Sequence, residues 1–125
     1  MIDHFGIKVK DLKSSKDFYQ KTLAPLGYGL RFNNEYTVSF GDERSTDPGG
    51  DFWLNASQQA PMHFAFNAKT HAEVEAFHQA GLAAGGKDNG APGLRPTYHA
   101  TYYAAFLLAL AGNHIEAGSH AYTSN

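Results

Sequence analysis

Histidine is the residue type with the most chemical promise in this chain: seven occur in 125 residues, and there is no cysteine. Any metal must therefore rest on nitrogen and oxygen donors, and disulfides, thiolate nucleophiles and sulfur-bound zinc or iron–sulfur centres are excluded. Two of the seven are distinguished by spacing. Moving the segment from His4 to Gly27 forward by 59 positions lays it on His63 to Gly86 with eight identities in 24 ungapped positions. The matches are His4 with His63, Phe5 with Phe64, Lys10 with Lys69, Phe18 with Phe77, Gln20 with Gln79, Leu23 with Leu82, Ala24 with Ala83 and Gly27 with Gly86. A lone histidine flanked by apolar residues on a strand is more often a hydrogen-bonded core residue than a ligand. Two at equivalent places in a repeated unit point to a shared role.

The elements that must position them follow from the pattern of each copy. In Ile2 to Val9, Phe5, Ile7 and Val9 share one face of a strand and His4, Gly6 and Lys8 the other; Phe64 and Phe66 likewise oppose His63 and Ala65. A helix follows each strand, from about Ser14 to Leu23 and from about His71 to Ala84. The second opens on a capping box in Thr70-His71-Ala72-Glu73. Strands return at about Gly29 to Asn33, Tyr36 to Phe40 and Asp51 to Asn55. In the second copy, Gly85 to Gly93 reads as a loop beside a weak strand, Tyr98 to Leu108 as a strong strand, Leu110-Ala111-Gly112 as a turn and Asn113 to Ser119 as the last strand. Each unit is β-α-β-β-β, an order that belongs to α+β folds with helices on one face of a mostly antiparallel sheet. The modules, about 1–57 and 61–120 and joined near Gln58 to Pro61, are too short for separate cores. They are expected to form one domain over 1–125 or to pair across a dimer.

Composition narrows the partners. A hydrophobic fraction of 42% with nine Phe and seven Tyr excludes disorder, and the apolar residues come in short runs unsuited to a transmembrane helix. The net charge of -2 and the lack of a basic run argue against nucleic acid as the main partner. The opening Met-Ile-Asp-His-Phe has no signal-peptide pattern, so a cytoplasmic location is the expectation.

The tandem units, the opening Ile2-Asp3-His4-Phe5-Gly6-Ile7 and the closing Gly112-Asn113-His114-Ile115-Glu116-Ala117 resemble the vicinal oxygen chelate superfamily of glyoxalase I, extradiol dioxygenases, fosfomycin-resistance transferases and bleomycin-binding proteins. Asp51-Phe52-Trp53-Leu54, Gly81 to Gly86 and Asp88 to Pro96 look like its small bacterial glyoxalase-like members. The resemblance implies a cupped half-barrel of mixed sheet with helices outside. It also implies a divalent metal (Fe, Mn, Zn or Ni) held from the first and last strands of the modules. Carried over by position, the ligands are His4, His63 and Glu116, and the fourth position falls on Trp53, which cannot bind metal and is placed instead against substrate. Two imidazoles and a carboxylate leave open positions where a small molecule can chelate through neighbouring oxygens. The loss at Trp53 weakens a glutathione-dependent lyase activity, and the absence of a cationic cluster weakens a phosphonate transferase. Lyase, isomerase or ring-cleaving dioxygenase chemistry remains, with a metal-free binding protein of the bleomycin-resistance type as the alternative. A small-molecule substrate and a homodimer are the implied partners.

Around this site the sequence places Arg95, for an anionic substrate, and Tyr98, Tyr102 and Tyr103, which follow a Gly- and Pro-rich loop. Glu116, Tyr98 and His99 are the catalytic candidates. His99 lies at the mouth of that loop and could move protons or be a plain loop residue. His114 shares the face of Glu116 and is a candidate partner or proton shuttle against substrate; His120 continues that parity. His71 and His78, one heptad apart, are expected on a solvated helix face. By the same resemblance an acidic turn of the type Asp-Pro-x-Gly is expected before the Glu116 strand, and Ala109-Leu110-Ala111-Gly112 stands in its place, which implies a looser hairpin for Glu116 and a lower metal affinity.

Overall fold

A computed structural model describes residues 3–45, 49–57, 62–110 and 112–122. Among the described residues, eight strands and two helices follow in the order β1 (Phe5–Val9), α1 (Leu12–Leu23), a short 3-10 turn (Ala24–Leu26), β2 (Gly29–Asn33), β3 (Thr37–Gly41), β4 (Phe52–Ala56), β5 (His63–Asn67), α2 (His71–Ala83), β6 (Lys87–Leu94), β7 (Tyr103–Leu108) and β8 (His114–Ser119). The expected α+β fold of two βαβββ modules is borne out. Each module forms a four-stranded mixed sheet, ordered β1-β4-β3-β2 and β5-β8-β7-β6, whose first strand runs parallel to its last. The sheets remain separate, so β1 and β5 are edge strands.

The strand parity holds. Ile7 and Val9 on β1 and Phe66 on β5 are buried, whereas His4, Gly6, Lys8, His63 and Ala65 are exposed. The inward faces and both helices share one apolar core. At its centre the Phe52 ring lies 5.0–5.3 Å from those of Phe5, Tyr19, Phe64 and Phe66, so aromatic packing joins the modules. Gly81 lets α2 approach the second sheet: a Cβ there would overlap the Leu107 side chain.

Local chemistry sets the helix starts. Asp11 accepts from the Ser14 N–H at 3.1 Å, which begins α1 at Leu12, two residues before the expected Ser14. Thr70 caps α2 through the Glu73 N–H at 3.1 Å, but the Glu73 carboxylate accepts from the Lys69 N–H at 2.6 Å rather than from that of the cap. Two strand expectations are corrected. The Gly-rich stretch read as a loop is largely β6, an irregular edge strand paired to β7, where Pro92 is tolerated because one side lacks a neighbour. The run from Tyr98 is not strand until Tyr103. Residues 97–101 instead form the β6–β7 connection, closed by Arg95 N–H to Tyr102 C=O at 2.7 Å and Tyr98 N–H to Arg95 C=O at 3.0 Å. The joint near Gln58 to Pro61 and the turn residue Ala111 lie outside the described residues. No helix among those described is long and apolar enough to cross a membrane.

Candidate functional site

The outward face of the second sheet brings the site residues together. In β8, His114, Glu116 and Gly118 alternate with the buried Ile115 and Ala117, and the parallel pairing with β5 sets His63 beside His114 and Ala65 beside Glu116. The His63 Nε2 lies 3.2 Å from the Glu116 Oε1. The other carboxylate oxygen, Oε2, accepts a hydrogen bond from the Tyr102 hydroxyl at 2.6 Å. Glu116 is only 7% exposed, whereas the His63 side chain is 58% exposed, so the imidazole forms the open side of the pair. Burial, and then the carboxylate it donates to, push the Tyr102 phenol above its ordinary pKa and keep it a donor. Beside this group lies a cavity of about 330 Å³ lined by Ala65, Tyr98, His99, Tyr102, Glu116 and His120.

The pair has the donor types and spacing of two ligands of a divalent ion but does not make a complete set. Two donors on one ion, each at about 2.1 Å, are separated by roughly 3.0–3.4 Å at tetrahedral to octahedral angles, and His63 and Glu116 stand 3.2 Å apart. Imidazole nitrogen and carboxylate oxygen also suit first-row divalent metals. The third expected donor is elsewhere: among the described residues no group of three His, Asp or Glu side chains forms a metal cluster. His4 lies just before β1 of the other sheet, with its side chain 56% exposed and 3.9 Å from the Asp3 carboxylate.

The register identifies the first-module counterpart of Glu116. Gly6 pairs with Trp53 across β1 and β4 as Ala65 pairs with Glu116 across β5 and β8, and Gly6 and Ala65 are related by the 59-residue repeat. Trp53 thus stands where the second module has its carboxylate. Its ring lies 5.9 Å from Phe32 and its indole N–H donates to the Gly50 carbonyl at 3.3 Å.

Other candidates divide. Tyr98 and His99 border the cavity, with rings 5.7 and 5.2 Å from that of Tyr102. The His99 ring also stacks on His120 at 4.7 Å, and its Nε2 is buried without a hydrogen-bond partner. His114 lies 6.1 Å from His63, ring to ring, and its Nδ1 is 3.5 Å from the Asn89 amide nitrogen. Arg95 spends its guanidinium on the Ala91 carbonyl at 2.6 Å and lies 5.3 Å over Phe106, the cross-strand neighbour of Glu116, so it borders the site without lining the cavity. Tyr103 is not brought in. It stacks on His71 at 3.9 Å and donates to Glu75 at 2.7 Å, because adjacent residues of a strand face opposite ways.

His71 and His78 correct the expectation of a solvated face. Both are buried, His71 under Tyr103 with its Nε2 3.2 Å from the Ala121 carbonyl, and His78 paired with Asp88 at 2.9 Å. The Glu116 hairpin is also better anchored than its turn suggests. Ala109 N–H bonds the Asn113 carbonyl at 2.8 Å, and the buried Asn113 side chain accepts from the Met62 N–H at 2.7 Å. Sequence reasoning missed Asn113, Gly118 and Phe106. Only Phe106 left a signal, since it shares strand parity with Tyr102.

Comparison with known proteins agrees with this architecture. The family model of the Glyoxalase/Bleomycin resistance protein/Dioxygenase superfamily matches residues 1–116. A glyoxalase/bleomycin resistance protein from Albidiferax ferrireducens T118 is 31% identical, with a TM-score of 0.77 over 93% of this chain and 96% of that one. A lactoylglutathione lyase from Agrobacterium tumefaciens shares the fold at 18% identity, with a TM-score of 0.72 over 95% and 92% of the two chains. A glyoxalase/bleomycin resistance protein/dioxygenase family enzyme from Burkholderia phytofirmans PsJN does so at 18% identity, with a TM-score of 0.70 over 95% and 98%. No curated protein matches the chain.

Proposed function

Because the chain belongs to the glyoxalase/bleomycin resistance protein/dioxygenase superfamily, we propose that it is a divalent-metal-dependent enzyme acting on a small molecule chelated through vicinal oxygens, by lyase, isomerase or ring-cleaving dioxygenase chemistry. The observation that carries this reading is the His63 and Glu116 pair, 3.2 Å apart beside an aromatic-walled cavity. A bound ion of the Fe, Mn, Zn or Ni type would supply Lewis acidity or dioxygen activation. The chain's own residues do the rest. His63 and Glu116 would be two of the ion's ligands, and Tyr98 and His99 border the cavity beside them. His99, which lines the cavity, is the candidate to take or return a substrate proton. His114 and Arg95 border the substrate.

The third ligand comes, in this reading, from His4 of a second copy. The two unclosed sheets and the lack of a three-ligand cluster within the described residues support a homodimer in which the first module of one copy covers the second module of the other. Trp53 then faces substrate across that interface. A second reading, a metal-free binding protein of the bleomycin-resistance type, is favoured by one feature: both Glu116 oxygens already have contacts within the chain.

Metal titration of the wild type beside His63→Ala and Glu116→Ala separates the two readings. The enzyme reading expects about one equivalent of ion per chain, lost in both variants. No bound metal, with ligand binding unchanged in the variants, establishes the second reading instead.

A further inference from the structure

We propose that the cavity beside Glu116 takes a small organic ammonium ion, with its charged head on the Glu116 carboxylate and its aryl or alkyl body against the surrounding rings. The inference rests on the metal-free reading of this site, which it deepens, and it needs no bound metal. Glu116 is only 7% exposed, and a carboxylate so far removed from water is costly unless partners offset its charge. Two groups of the chain contact it, one on each oxygen: the Tyr102 hydroxyl at 2.6 Å and the His63 Nε2 at 3.2 Å. Among the described residues no lysine or arginine pairs with it. A carboxylate has about four lone-pair positions, so each oxygen keeps a place for an N–H donor from a ligand.

The walls favour the same sign of charge. Besides Glu116 the cavity is lined by Ala65, Tyr98, His99, Tyr102 and His120, with no lysine or arginine among them. The Tyr98 ring stands edge-on to Tyr102 at 81° and 5.7 Å, and it is 64% exposed, so part of it stays open at the mouth. The face of a tyrosine ring attracts a cation. Gly118 makes room for this arrangement, since a Cβ there would overlap the Tyr102 hydroxyl and ring, and its absence lets the phenol lie over β8 and reach Glu116. The volume of about 330 Å³ is near the lower end of the roughly 300–1,000 Å³ found for ligand pockets, which suits a single ring on a short chain. An anion of that size would meet the buried carboxylate with no lysine or arginine in the lining to offset the repulsion.

The test uses the full chain with EDTA present, so that no metal contributes, and three probes of similar size: phenethylammonium, phenethyl alcohol and phenylacetate. Each is titrated at neutral pH and followed by amide NMR shifts, which give both the affinity and the place of binding. Phenethylammonium is expected to bind at the cavity about tenfold more tightly than the alcohol, and phenylacetate more weakly than either. Glu116→Gln keeps an acceptor in place and removes its charge, and is expected to abolish the preference for the ammonium over the alcohol. Tyr98→Ala, at an exposed rim position, is expected to weaken phenethylammonium about threefold; should Glu116→Gln fail to fold, this variant and the wild-type ranking of the probes decide. Phenylacetate binding as tightly as phenethylammonium, a preference that survives Glu116→Gln, or an unchanged affinity in Tyr98→Ala would overturn the proposal while leaving the cavity a small-molecule site. Binding of none of the three at the cavity overturns both together.

Discussion

Glu116 and Trp53 occupy the same place in the two modules and have opposite chemistry, which is why the outward faces of the two sheets cannot do the same work. The second module offers a nitrogen and an oxygen side by side; the first offers one exposed histidine and an indole wall. Away from the site, individual charges serve stability. Asp88 accepts from the Gly90 N–H at 3.0 Å and pairs with His78 at 2.9 Å, and these contacts, the backbone one foremost, hold its carboxyl below the ordinary value of 3.8. A lowered carboxyl pKa stabilises the fold fully above the unfolded value, and that contribution is lost as pH falls through the folded one. Asp88→Asn is therefore expected to lower the melting temperature near neutral pH by an amount that shrinks below pH 3.8. A deficit that persists unchanged in acid, measured by thermal denaturation across pH, would show that the ionised carboxylate is not what matters.

At the scale of elements, much was legible because alternation and capping are local. The strand faces of His4 and His63, the Thr70 cap and the equivalence of Trp53 with Glu116 all follow from period and repeat, and the register agrees. What sequence could not show was long-range. The pairing of a Gly-rich edge strand, the burial of His71 and His78 and the anchoring of the Glu116 hairpin by Asn113 each depend on a partner far along the chain. The placing of both Tyr102 and Tyr103 in the site was a different failure, since strand alternation allows one of them only. Helix α2 packs against β6, β7 and β8, so its start fixes how it sits over the sheet that bears the candidate site. Thr70→Ala removes the 3.1 Å cap of Glu73 and is expected to cost about 1 kcal/mol of stability, measurable by urea denaturation. An unchanged midpoint would mean that Glu73 and water replace the cap.

At the scale of the molecule, one aromatic core holds the modules together while their outward faces stay apart. Phe5, Phe52, Phe64 and Phe66 bind the copies of the repeat to each other, so the histidines that the repeat singles out are brought into one molecule but not into one cluster. The proposed dimer would resolve this, with the first module of one copy set against the second module of its partner. In a two-fold dimer this gives two equivalent sites, each built from both chains. The most direct measurement is metal binding by a hybrid dimer in which one chain carries His4→Ala and the other Glu116→Ala. A shared site places both lesions in one of the two sites and leaves the other whole, so the hybrid should bind about half the wild-type metal although neither variant binds tightly alone. A hybrid that forms but binds no more than the separate variants would contradict the shared site.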